Sequence, residues 1–210
     1  MATSATLTDS SPRPARRVGG EGSVTRAAIL TAAEHVMRDE GYAAASTRRV
    51  AARAGLKPSL VHYYFPTTDD LLLALFEKGA AESDAGLEAA LAAPDPLRAL
   101  WAALTDTSRT ALALEFMALA NHRPGLRARI AEHSERMRAR QVTLFDHALG
   151  ERLAAEGACP AAGLSVVLAG IGRALIMEGA LGVTGGHAEA RAWVEAWLDK
   201  LAPAGAPRRD

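Results

Sequence analysis

The stretch from Ser46 to Phe65, STRRVAARAGLKPSLVHYYF, limits the fold more than any other part of the chain. Val50, Ala51 and Ala54 share one side of a short helix, and Leu56, Val61 and Phe65 have the spacing to pack against it. Between these runs Gly55 tolerates the left-handed conformation that ends a helix. Pro58 suits the first turn of the next helix, where no backbone N–H needs a partner. A hydroxyl at Ser46 caps the first helix by accepting from an N–H that lacks an intrahelical partner. Two helices joined by the turn Gly55-Leu56-Lys57, a helix-turn-helix, are the expectation.

Charge gives this pair a use. The chain carries 24 basic and 24 acidic residues, so affinity for a polyanion has to come from local charge. From Gly41 to Thr68 there are Arg48, Arg49, Arg53 and Lys57 with no Asp or Glu. Beside them the second helix bears Ser59, Leu60, His62, Tyr63 and Tyr64, groups able to touch sugars, phosphates and base edges. A run of charge alone is usually a solvated surface; the two-helix spacing points instead to DNA. Arg48 and Lys57 are read as phosphate or groove-edge contacts, and Ser59, Leu60, His62 and Tyr63 as contacts to bases and sugars.

With the helix TRAAILTAAEHVMRDEGY ahead of it and GLKPSLVHYYFPTTDDLL at its end, this segment resembles the N-terminal domain of the TetR family of bacterial transcriptional repressors, over about residues 24–77. The shared elements are Ile29-Leu30…Ala33, Gly41-Tyr42, Val50-Ala51…Ala54-Gly55, and Tyr64-Phe65 followed by Asp69…Leu71. The sequence departs from the family at Arg49 and Lys57, where capping residues are usual, and at Thr68, where a lysine commonly meets phosphate. Adding Thr25, Ser46 and Thr68 completes the expected DNA-contact set. The resemblance implies an all-α fold, with a three-helix DNA-binding domain followed by a helical effector-binding and dimerisation domain. It also implies a homodimer on a double-stranded, near-palindromic operator, released by a small effector.

Residues 1–22 are rich in Ser, Thr, Pro, Gly and Ala, with Arg13, Arg16 and Arg17, and are expected to form a disordered basic arm. Residues 23–67 then form the DNA-binding domain, 68–202 the effector and dimer domain, and 203–210 a disordered tail. Ile29, Ala33, Val36 and Met37 predict a first helix over about 24–40, capped by Ser23 or Thr25, with Thr25 alternatively at a phosphate. A long helix starts at Thr67 or Thr68 and ends at Pro94-Asp95-Pro96, carrying Leu72, Phe76, Ser83, Leu87 and Leu91 on one phase. Phe76 is expected where the cores of the two domains meet. Leu126 to Ala155 predicts another long helix, with Leu126, Ile130, His133, Met137, Leu144 and Ala148 on a stripe and Glu156-Gly157 at its end.

The last two helices are read as the dimer interface. Leu164, Leu168, Ile171 and Leu175 make a stripe interspersed with Gly170 and Gly172, and Trp193 and Trp197 ridge the final helix. Glycine in a helix costs about 1 kcal/mol relative to alanine, so its repetition implies close approach of another backbone. Trp101, Phe116, Met117, His133 and Met137 are the candidate palette for a lipophilic effector with one or two hydrogen-bonding groups.

Other chemistry finds little support. The six histidines form no His-x-x-x-His, no catalytic constellation stands out around Cys159, and no cofactor, metal or enzymatic activity is expected. A single cysteine and the lack of an apolar leader point to the cytoplasm. The most apolar stretch, Ala161 to Met177, is interrupted by Arg173, so no membrane partner is expected. The alternative reading is an all-α small-molecule carrier or enzyme whose N-terminal domain is only structural.

Overall fold

The computed structural model describes residues 23–150 and 159–201, apart from the side chains of residues 108–111. All regular structure among the described residues is helical: α1 (Val24–Glu40), a short 3-10 turn (Tyr42–Ala44), α2 (Thr47–Ala54), α3 (Pro58–Tyr64), α4 (Thr68–Leu91), α5 (Pro96–Leu104), α6 (Thr107–Ala120), α7 (Pro124–Leu149), α8 (Ala161–Ala180) and α9 (His187–Leu201). The expected basic arm, the C-terminal tail and the Glu156-Gly157 stop lie outside the described residues.

Local signals set the ends of the first helices. Ser23 caps α1, accepting from the Arg26 N–H at 3.5 Å, and Ser46 caps α2, accepting from the Arg49 N–H at 3.3 Å. Gly55 takes φ 67°, which lets its own N–H reach the Ala52 carbonyl and the Leu56 N–H reach Ala51 at 2.9 Å. This paired closure satisfies carbonyls that would otherwise be orphaned, and Pro58 opens α3 directly after it. Thr67 and Asp70 form a reciprocal capping box at the start of α4. The Asp95-Pro96 pair begins α5 instead of ending α4: α4 stops at Leu91, and Asp95 accepts from the Arg98 N–H at 3.1 Å.

Two cores lie along α4. The first joins Ile29, Val36, Val50, Val61, Phe65 and Leu71 with Phe116 and Leu119 of α6 and Leu126 of α7. Its side chains therefore come from both sides of residue 67. The second joins Leu87 of α4 with Trp101, Phe145, Leu164, Leu168, Leu175, Val194 and Leu198. Burying one such aliphatic side chain contributes about 1.5–3 kcal/mol, so each core depends on all its helices. Phe76 packs against the first core, with its ring 5.6 Å from Phe116.

Two expected stripes shift. On α7 the buried positions at the C-terminal end are Gln141, Leu144, Phe145 and Leu149, while Ala148 is exposed. There the helix follows α8, and the buried Ser165 hydroxyl donates to Gln141 Oε1 at 2.6 Å. On α8, Leu164, Leu168, Gly172 and Leu175 are buried within the chain's own fold, the three leucines in the second core. A Cβ on Gly172 would stand 2.5 Å from the Leu104 carbonyl oxygen, so the close backbone there is α5 of the same chain. A Cβ on Gly170 would meet nothing within 4 Å among the described residues. By length and composition α8 is apolar enough to cross a membrane.

Candidate nucleic-acid interface

Helix α3 is held by Val61, which is fully buried against α1 and α2. At 100° per residue, Ser59 and Tyr63 fall opposite Val61, with Leu60 and His62 on the flanks. Ser59, His62 and Tyr63 are exposed and Leu60 is half-buried. The helix is braced at its far end: the Tyr64 hydroxyl lies 2.9 Å from Ser23 Oγ, and the Arg26 guanidinium sits 5.3 Å from the centre of the Phe65 ring. On the α2 side, Thr47 Oγ1 and His62 Nε2 are 3.3 Å apart. An open groove of about 560 Å³ runs along the other flank, lined by Gly55, Leu56, Lys57, Ser59, Leu60 and Tyr63.

The electrostatics differ from those of residues 41–68 taken alone. Arg49 makes a bidentate pair with Glu40, at 2.8 Å from Nε and 2.7 Å from Nη2, and Arg53 reaches Asp39 at 2.7 Å. Two of the four cations are thus matched by carboxylates at the end of α1. The hydrogen bond from Arg49 holds the Glu40 carboxyl below its ordinary range, and the same bond raises the guanidinium. The fold brings these carboxylates back beside α2, and the sequence window that showed only cations began one residue after Glu40. Arg48 and Lys57 are exposed, and no ion pair is seen for either among the described residues.

The remaining expected contacts lie at the starts of three other helices. Ser46 is exposed at the start of α2, its hydroxyl already engaged as a cap. Thr25 is half-buried in the first turn of α1, where Ser23 does the capping, and Thr68 is half-buried at the start of α4 behind Thr67. Lys57 precedes α3 without a side-chain cap bond, as expected of an ammonium, which donates and cannot accept from the helix's first N–H groups.

The candidate effector residues separate. Phe116 and His133 both meet Phe76, the His133 ring at 5.9 Å, whereas Trp101 and Met137 pack in the second core and Met117 is half exposed to solvent. His133 Nδ1 is buried, with no hydrogen-bond partner among the described residues. Burial pushes this imidazole below its ordinary value, with Asp84 opposing and Arg136 adding. Of the candidate interface residues, Leu164, Leu168, Gly172 and Leu175 are buried; Gly170, Ile171 and Trp197 are half-buried, and Trp193 is 60% exposed. Among the described residues, no group of three or more His, Cys, Asp or Glu is arranged to hold a metal ion.

This geometry has relatives. The family model "Bacterial regulatory proteins, tetR family" matches residues 29–75, from the first turns of α1 into α4. The HTH-type transcriptional regulator EthR of Mycobacterium tuberculosis is 32% identical over 88 residues, 42% of this chain and 41% of EthR. The crystal structure of the multidrug binding protein EbrR, complexed with imidazole, is 30% identical with a TM-score of 0.54, covering 87% of this chain and 92% of EbrR. The chain belongs to the TetR family. A TetR regulator from Haloarcula marismortui shares the all-helical fold of this TetR-family chain at TM-score 0.69 and 21% identity, over 84% of this chain and 97% of that one. The chain spans about two fifths of the length of the curated relatives it matches.

Several features of this TetR-family head were missed in the sequence. The brace between Ser23 and Tyr64 and the Arg26–Phe65 contact join residues far apart in the chain, which no periodicity reports. The same holds for the Lys78 ammonium, which reaches Glu34 at 2.8 Å and ties α4 to α1. By contrast, the Glu40 and Asp39 pairs had a visible signal, since two carboxylates stand next to the window.

Proposed function

We propose that this chain is a homodimeric DNA-binding transcription regulator in the cytoplasm, a repressor that leaves a near-palindromic operator when a small lipophilic effector binds. The observation that carries the DNA part is the outward face of α3: Ser59 and Tyr63 stand opposite the buried Val61, with Leu60 and His62 beside them and unpaired Arg48 and Lys57 at the margins. That set combines cations for phosphate with side chains for base edges, on a rigid helix. EthR is named as an HTH-type transcriptional regulator, which supports the same reading. No catalytic step is assigned.

Dimerisation is supported by the side of α8 turned away from the core. Val166, Val167 and Met177 are exposed there, Gly170 and Ala174 continue the same face, and Leu181 and Val183 just past the helix end and Trp193 on α9 are exposed as well. This outward stripe replaces Leu164, Leu168, Gly172 and Leu175 as the proposed interface. Effector binding is supported by the likeness to EbrR, described as a multidrug binding protein, and by the unpartnered His133 Nδ1 beside Phe76 and Phe116. DNA and effector are coupled through α4, which runs from the head into the second core.

The deciding experiment is a mobility shift of the duplex flanking the gene, titrated with salt. A complex with two inverted protected patches, weakening steeply as salt rises, is expected. Failure to bind that duplex or a pool of genomic fragments would leave the small-molecule carrier as the better reading. An effector that weakens DNA binding should itself be weakened by DNA by the same factor, typically about 5–150-fold.

A further inference from the structure

The groove beside α3 has an aliphatic wall where a DNA-reading helix more obviously uses polar side chains. Leu60 and Leu56 line it together with Gly55, Lys57, Ser59 and Tyr63. Leu60 stands in the first turn of α3, where its N–H donates to the Lys57 carbonyl at 2.9 Å, so the backbone that carries it is fixed. Its side chain is half-buried, in contrast to the fully buried Val61 next to it. Leu60 therefore contributes to the head's surface and is not spent on its core.

We infer that Leu60 selects thymine at one position of each half-site by packing on its C5-methyl group. The inference rests on the DNA-binding reading above. A leucine side chain neither donates nor accepts a hydrogen bond. In the major groove, the apolar feature a base edge offers is the thymine methyl; cytosine presents an amino donor and guanine two acceptors at the corresponding edges. Leu60 set against either of those would strip water from a polar group and return no partner, which penalises the wrong base as well as favouring the right one. The surroundings keep the contact in register: Lys57 and Ser59 are exposed on the groove's rim, and Tyr63 is 52% exposed one turn along, all free to meet the phosphate and sugar on either side.

The test separates this inference from the one beneath it. The full-length protein is used to select bound duplexes from a randomised pool, and each thymine of the selected half-site is then replaced by deoxyuridine. That change removes only the methyl group and leaves every hydrogen-bonding atom in place. One thymine per half-site should be sensitive, with binding weakened about fourfold by loss of one buried methyl-sized group. Leu60→Ala should bring the thymine-to-uracil ratio at that position close to one. Because the uridine scan uses the unaltered protein, it reads the contact even if Leu60→Ala folds poorly. Tight, salt-dependent binding with no uridine-sensitive thymine, or sensitivity that persists in Leu60→Ala, overturns the role of Leu60 and leaves DNA binding standing. Recovery of no duplex from the pool overturns both.

Discussion

The Tyr64 hydroxyl and the Ser23 hydroxyl, 41 residues apart in sequence, meet at 2.9 Å and fasten the end of α3 to the start of α1. Ser23 also caps α1, so one side chain fixes both the helix that opens the head and the helix proposed to read DNA.

Tyr64→Phe should therefore lower stability by about 1 kcal/mol, the net worth of one hydrogen bond. Ser23→Ala should cost more, by up to about 2 kcal/mol, because the cap goes as well. Urea unfolding of both single variants and of the double variant measures the coupling; strictly additive losses would show that the two hydroxyls do not interact.

Lys57→Ala and Glu40→Gln should move DNA binding in opposite directions. The first removes an unpaired cation, weakening all sequences alike and lowering the salt slope by roughly 1. The second releases Arg49 from its bidentate partner and should strengthen nonspecific binding at low salt. Affinity measured over a salt series checks both, and a change of sequence preference with Lys57→Ala at constant slope would reverse the assignment.

The glycines of α8 should divide. Gly172→Ala drives a Cβ into the Leu104 carbonyl and should destabilise the protomer by about 1–3 kcal/mol. Gly170→Ala has open space and should be neutral or stabilising, by up to about 1 kcal/mol from helix propensity. Gly170→Leu should instead affect assembly, read by light scattering, with little change in protomer folding.

Acid should weaken the fold partly through His133. Its folded value is depressed by burial, so its contribution is fully present above the unfolded value of about 6.5 and is lost as pH falls through the folded value. Melting temperatures from about pH 7 to about pH 5 should fall more steeply for the natural chain than for His133→Gln. Equal slopes would place the acid sensitivity elsewhere.

Local chemistry was legible without the fold. The Ser46 cap, the Gly55 turn and the placing of Pro58 each depend on one residue's backbone or hydroxyl acting on near neighbours, and the structure shows all three. The two-helix pair followed from them. What periodicity does not carry is which of two apolar faces turns inward. Helix α8 has Leu164, Leu168 and Leu175 on one side and Val166, Val167 and Met177 on another, and only packing against α5, α6 and α7 decided that the leucines form the core. Charge behaves in the same way. The composition of residues 41–68 determined how many cations that stretch carries, but the return of α1 beside α2 decided that Arg49 and Arg53 face carboxylates while, among the described residues, Arg48 and Lys57 do not, because an ion pair depends on distance in space and not along the chain.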